Sequence, residues 1–167
     1  MNIGIVCYPT FGGSGVVATE LAKVLSKMGH KIHILSYARP ARLDAIESNI
    51  MYHEVSINSY PLFEYPPYAL ALASQMVNLI EFEDLDLLHV HYALPHATSA
   101  YLAKQIMAAR GITVPIITTL HGTDITLVGR DPSYKHVVEF SIDQSDGVTA
   151  VSDYLKRETY NNFEISK

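Results

Sequence analysis

The sequence predicts an α/β fold: a Rossmann-like, doubly wound, mostly parallel sheet with helices on both faces. Three observations carry this. Apolar runs of strand length alternate with stretches whose apolar residues recur at helical spacing. The strand runs are apolar almost throughout, as expected when both faces of a sheet are covered. A glycine-rich turn, Gly12-Gly13-Ser14-Gly15, follows the first of them, at the place where such folds approach a ligand.

Ile3 to Tyr8 is the first strand, stopped by Pro9. Val16 to Met28 is a helix, with Val17, Leu21, Val24, Leu25 and Met28 as its apolar face and Gly29 just past its end. Lys31 to Tyr37 and Ile50 to Val55 are strands two and three, joined by the polar connection Ala38 to Asn49. The aromatic, proline-rich stretch Ser59 to Pro67 is a loop, and Tyr68 to Phe82 is a helix. Asp86 to His91 is the fourth strand, and Pro95 belongs to the first turn of a helix running to Ala109. Pro115 to Leu120 is the fifth strand, and His121 to Pro132 is a long polar loop. Ser133 to Gln144 is helical, Gly147 to Val151 is the last strand, and Ser152 caps a helix to about Tyr160.

The 167 residues suit one domain with a large core, since 49% are apolar and only 17% charged. That composition excludes a disordered chain. A net charge of −5 argues against binding nucleic acid, or a membrane surface, by charge neutralisation. The single cysteine, Cys7, excludes a disulfide framework and a multi-cysteine zinc site, and reads as a small buried apolar residue. No apolar stretch is long enough to span a membrane, and the N-terminus lacks the basic start of a signal peptide. The chain therefore reads as cytoplasmic.

With strand order 3-2-1-4-5-6, the turn at Gly12–Gly15, the segment His89-Val90-His91-Tyr92 and the segment Thr119-Leu120-His121-Gly122-Thr123-Asp124 meet where strand order reverses. The glycine turn and the helix after it suit an anion such as a phosphate, diphosphate or carboxylate. Gly13-x-Gly15-x-x-Ala18 loosely fits a dinucleotide fingerprint, but the second strand ends Leu35-Ser36-Tyr37-Ala38-Arg39 without the required acid. NAD is disfavoured, and Arg39 leaves an NADP-dependent reductase as the alternative. His89, His91, His96 and His121 could hold zinc, yet only Asp124 lies near as a carboxylate. The favoured reading bonds His89 to backbone and has His91 orient a neighbouring loop. His121, at a strand end before Gly122, can bond a sugar hydroxyl or move a proton. Arg130, Lys135 and Lys156 are the cations near this crest.

In this order, Gly12-Gly13-Ser14-Gly15, His89-Val90-His91-Tyr92-Ala93, Thr119-Leu120-His121-Gly122-Thr123-Asp124 and Thr149-Ala150-Val151-Ser152 resemble the retaining family-4 glycosyltransferases of the GT-B fold. Tyr8-Pro9, Tyr65-Pro66-Pro67-Tyr68 and Asp124-Ile125-Thr126 are similar to the branch that joins N-acetylglucosamine from UDP-N-acetylglucosamine to L-malate, opening bacillithiol biosynthesis.

The resemblance covers essentially the whole chain. It implies that residues 1–160 are the N-terminal, acceptor-side half of a GT-B enzyme. Residues 161–167 would begin a linker to a C-terminal domain that carries most nucleotide contacts. The half alone would be inactive. Gly12, Gly13, Ser14 and Gly15 would meet the donor diphosphate and the acceptor. Ser14, Tyr92 and Thr119 would bind the acceptor, His121 would act catalytically on the donor sugar, and His91 and Asp124 would support it. Configuration would be retained by attack on the face the diphosphate leaves, with the departing phosphate taking the acceptor proton. No metal and no cofactor are implied. The partners would be UDP-N-acetylglucosamine, L-malate, the chain's own C-terminal domain and, in a homo-oligomer, a second copy. A family-4 enzyme with another acceptor is a further alternative.

Overall fold

The computed structural model describes residues 1–43, 48–57 and 60–166. Parts of the 38–49 connection and of the 59–67 loop, and Lys167 of the expected linker, lie outside the described residues. Six strands, β1 (Asn2–Val6), β2 (Lys31–Ser36), β3 (Ile50–Glu54), β4 (Leu87–His91), β5 (Ile116–Leu120) and β6 (Gly147–Ala150), form one sheet of order β3-β2-β1-β4-β5-β6. Every neighbouring pair is parallel. The order reverses between β1 and β4, where Ile3 pairs with Leu87 and Val6 with Val90. The fold class and this order are those the sequence predicts.

Six α-helices complete the described fold: α1 (Ser14–Lys27), α2 (Tyr68–Glu83), α3 (Thr98–Ala108), α4 (Thr123–Thr126), α5 (Lys135–Gln144) and α6 (Asp153–Asn162). Successive strand residues point to opposite faces. Ile3, Ile5 and Cys7 accordingly pack with Ile32, Ile34 and α1, while Val6 packs with Leu35, Leu88, Val90, Ile116, α2 and α3 on the other face. A third core, of Leu120, Ile125, Val138, Ile142, Leu155 and Phe163, joins α4, α5 and α6. Truncating a fully buried leucine such as Leu88 to alanine costs about 2–5 kcal/mol.

Helix α1 departs from expectation in the face it buries. Val17, Val24 and Met28 are exposed, and the covered positions are Ala18, Thr19, Ala22 and the half-buried Leu25. Small side chains let the helix lie close to the sheet, so hydropathy alone marked the wrong stripe. Its C-terminal end is closed by two bonds, from the Gly29 N–H to the Ser26 carbonyl and from the His30 N–H to the Leu25 carbonyl.

The expected loop 121–132 instead contains α4 and a single tight turn at Val128–Arg130. Polar composition hid a helix of only four residues, too short for periodicity to register. Pro95 lies in a separate one-turn segment, Ala93–Ala97, with a cis Leu94–Pro95 bond, and α3 begins only at Thr98. Helix α5 begins at Lys135, two residues later than the Ser133 start expected. Ser152 caps α6 as expected, its hydroxyl accepting from the Leu155 N–H at 3.1 Å.

Candidate functional site

Parallel strands bring their carboxyl ends to one edge, so Tyr8 after β1, Tyr92 after β4 and His121 after β5 become neighbours. The Tyr92 ring lies 5.3 Å from that of Tyr8 and 5.2 Å from that of His121. The loop from β1 to α1 folds back beside them. A Cβ on Gly15 would meet the Tyr8 carbonyl at 2.6 Å and the Thr10 carbonyl at 2.7 Å, so only glycine allows this approach. Gly12, in contrast, borders open space. Among the described residues no side chain caps the start of α1, at Gly13 and Ser14, and its first turn holds no acidic residue. In that condition the first N–H groups and the positive dipole end are available to an anion. Ser14 itself is buried.

Tyr92 has φ 87° and ψ 134°, a backbone conformation that L side chains rarely adopt. Neighbours hold it there: its N–H donates to the Thr119 carbonyl at 2.9 Å, and its carbonyl accepts from the Ala97 N–H. Such a residue stores about 1–3 kcal/mol of strain, and strain of this kind gathers at ligand sites.

Asp124, almost fully buried, ties the two crests together. Its Oδ1 accepts from the backbone N–H groups of His121 (3.1 Å) and Gly122 (2.9 Å), and its Oδ2 from that of Ala93 (3.1 Å). Burial raises its carboxyl pKa, and these backbone bonds oppose the rise. The sharp turn this needs places Gly122 at φ 120°.

The histidines are bonded among themselves and to the sheet. His91 Nδ1 lies 2.8 Å from His121 Nε2, and His96 Nδ1 lies 2.5 Å from the His91 carbonyl. His89 Nε2 lies 2.7 Å from the Thr119 hydroxyl, so His89 meets a side chain and not the backbone expected. Thr119 is buried, its hydroxyl also 2.8 Å from that of Thr149; it sits within the sheet, with one hydrogen-bonding position left. Burial, reinforced by the neighbouring imidazoles, pushes His91 down to about 2. Burial likewise takes His96 and His121 to about 4. All three are neutral at pH 7. Among the described residues no three His, Cys, Asp or Glu side chains are arranged to hold a metal ion.

Tyr8, Tyr92, Leu94, Thr123, Asp124 and Val128 line a cavity of about 140 Å³ at this edge. A larger apolar cavity, of about 420 Å³ between β6 and α6, lies away from these side chains. Arg130 is paired with Glu158 at 2.6 Å and Lys135 with Glu139 at 3.5 Å, while Lys156 borders the larger cavity. None of the three lines the smaller one. Arg39 folds back, its Nε donating to the Leu43 carbonyl and its guanidinium 5.8 Å from the Tyr52 ring centre. Sequence reasoning placed Tyr8 at the tail of a strand and missed it as a lining residue. Its position just past the carboxyl end of a strand, like that of Tyr92, was the available signal.

The model of Glycosyltransferase Family 4 matches residues 11–167. The chain is 55% identical over all its residues to N-acetyl-alpha-D-glucosaminyl L-malate synthase of Bacillus anthracis, of which it covers 43%. It is 29% identical over 162 residues to an uncharacterised glycosyltransferase of Methanocaldococcus jannaschii, covering 42% of that protein. A glycosyltransferase structure from Rickettsia africae superposes with TM-score 0.70 at 25% identity, over 99% of this chain and 40% of that one. The chain thus spans less than half the length of the curated relatives it matches.

Proposed function

Since the chain belongs to glycosyltransferase family 4, we propose that it forms the acceptor-side half of a retaining enzyme that transfers N-acetylglucosamine from UDP-N-acetylglucosamine to L-malate. The observation that carries the substrate assignment is the 55% identity running through every residue of the chain.

The site's chemistry supports the reading. The uncapped start of α1, at Gly13, Ser14 and Gly15, suits the donor diphosphate or a malate carboxylate. The neutral His121 ring bonds the donor sugar, and Tyr92 borders the acceptor. Asp124 accepts from three backbone N–H groups, which makes it the scaffold that joins the two loops. In this reading the acceptor hydroxyl passes its proton to the departing phosphate as the new glycosidic bond forms on the face the diphosphate leaves. The domain extends past the expected boundary at residue 160, since α6 runs to Asn162 and Phe163 packs in the third core, and the cations that neutralise the diphosphate come from a second domain. The metal-site and NADP readings have no support from the histidine bonding or from the folded-back Arg39.

The test is product analysis with the full-length protein, UDP-N-acetylglucosamine and a panel of hydroxy acids. Formation of the α-linked malate glycoside with release of UDP is expected, and residues 1–167 alone should form none. Preference for another acceptor, or transfer by the 167-residue chain alone, would overturn the respective part of the reading.

A further inference from the structure

His91 has a proton to place, and the structure restricts where. The ring is fully buried at the end of β4. His89 stacks on it at 4.9 Å and 17°, and His121 tilts against it at 5.0 Å. Its Nδ1 faces His121 Nε2 at 2.8 Å. Its Nε2 is buried and meets no hydrogen-bonding group among the described residues. Both rings are neutral at pH 7, so each carries one proton and the contact between them holds one.

Two arrangements satisfy that contact. In the first, the His91 Nδ1–H donates to His121 Nε2, and His121 keeps its own proton on Nδ1. In the second, the His121 Nε2–H donates to His91 Nδ1, which forces the His91 proton onto the buried Nε2 as a donor without an acceptor. Orphaned buried N–H groups are rarer than under-used acceptors, so the first arrangement is preferred. His96 provides an internal precedent. Its Nδ1 contacts the His91 carbonyl, which can only accept, so the proton sits on Nδ1 and a bare Nε2 is left buried and unpartnered there too.

We infer that His91 is a positioning residue that fixes His121 in the Nδ1–H tautomer, so that His121 meets its ligand as a hydrogen-bond donor and not as a base. The one ring nitrogen of His121 left for a ligand is then a protonated one. It selects an oxygen that accepts, in a sugar hydroxyl, a carboxylate or a phosphate. The tautomer itself does not depend on the proposed function, but its effect on sugar transfer rests on that reading.

The test is long-range proton–nitrogen correlation NMR of the full-length protein with ¹⁵N-labelled histidine at pH 7, which separates protonated from bare ring nitrogens. His91 and His121 should both show Nδ1 protonated and Nε2 bare; a protonated Nε2 on His121 overturns the inference. Two variants probe the consequence. His91→Asn places an amide N–H where Nδ1–H stands and should keep the His121 tautomer, with kcat within about threefold of wild type. His91→Gln sets its amide where Nε2 lies and should release the tautomer, lowering kcat at least tenfold with little change in KM for UDP-N-acetylglucosamine. Equal losses in both variants with an unchanged His121 tautomer would make His91 a packing residue and overturn the inference. A fixed Nδ1–H tautomer with transfer insensitive to His121→Ala would sink the catalytic role of His121 and leave the positioning intact.

Discussion

Tyr92 and His121 touch, yet they test different physics. Replacing Tyr92 by glycine or alanine removes the same ring, but only glycine is at ease at φ 87°. The Gly variant should be more stable than the Ala variant by about 1 kcal/mol in urea denaturation; equal stabilities would mean that Tyr92 stores no strain. His121→Ala should lower kcat by one to two orders of magnitude, about 1.4–2.8 kcal/mol. Because the wild-type ring is already neutral far below pH 7, the pH–rate profile between 6 and 8 should keep its shape in the variant. A lost ionisation near 6.5 would instead mark a base. These two residues were legible from sequence because each follows an apolar run at a strand end. The bond from His91 to His121 was not legible. It needs the register that sets His91 beside Thr119, and register is a property of two strands together.

At the level of elements, the strands were readable to within two residues because continuous apolar runs are hard to mistake. Helix α1 was found, but its buried face was not. Val17, Leu21, Val24 and Met28 form a genuine apolar stripe, and periodicity cannot tell which stripe a neighbour will cover. Gly12, in the loop before α1, and Gly15, in its first turn, differ in the same way. Gly15→Ala would drive a methyl group into two backbone carbonyls, neither of which can swing aside. It should cost several kcal/mol, or abolish folding. Gly12→Ala meets nothing within 4 Å and should leave the melting temperature within about 2 °C. Circular dichroism melts of the two variants make the comparison. A tolerated Gly15→Ala would show that the loop can lift off the helix.

For the whole molecule, the buried histidines set an acid limit. His33, His96 and His121 are pushed down to about 4 and His91 to about 2, all chiefly by burial. In the unfolded chain each has its ordinary value near 6.5. Between those values the unfolded state binds more protons, so stability rises with pH there. Their stabilising contribution is complete above about pH 6.5 and is lost as pH falls toward 4. Each ring adds a slope of up to about 1.4 kcal/mol per pH unit. Denaturation midpoints measured from pH 7.5 to 4.5 should fall more steeply than one proton allows. A flat profile above pH 5 would show that these rings titrate freely.

The small residues on the inner side of α1 have a further consequence. Ala18, Thr19 and Ala22 are fully buried and act as the spacer that sets the standoff between helix and sheet, and with it the position of the uncapped N–H groups one turn earlier. Misplacing such donors by 1 Å can cost a hundredfold in rate. Under the proposed function, turnover is then tunable from the side of the helix that faces the sheet, by one methyl group or two at these positions. A screen confined to the lining of the cleft would overlook them.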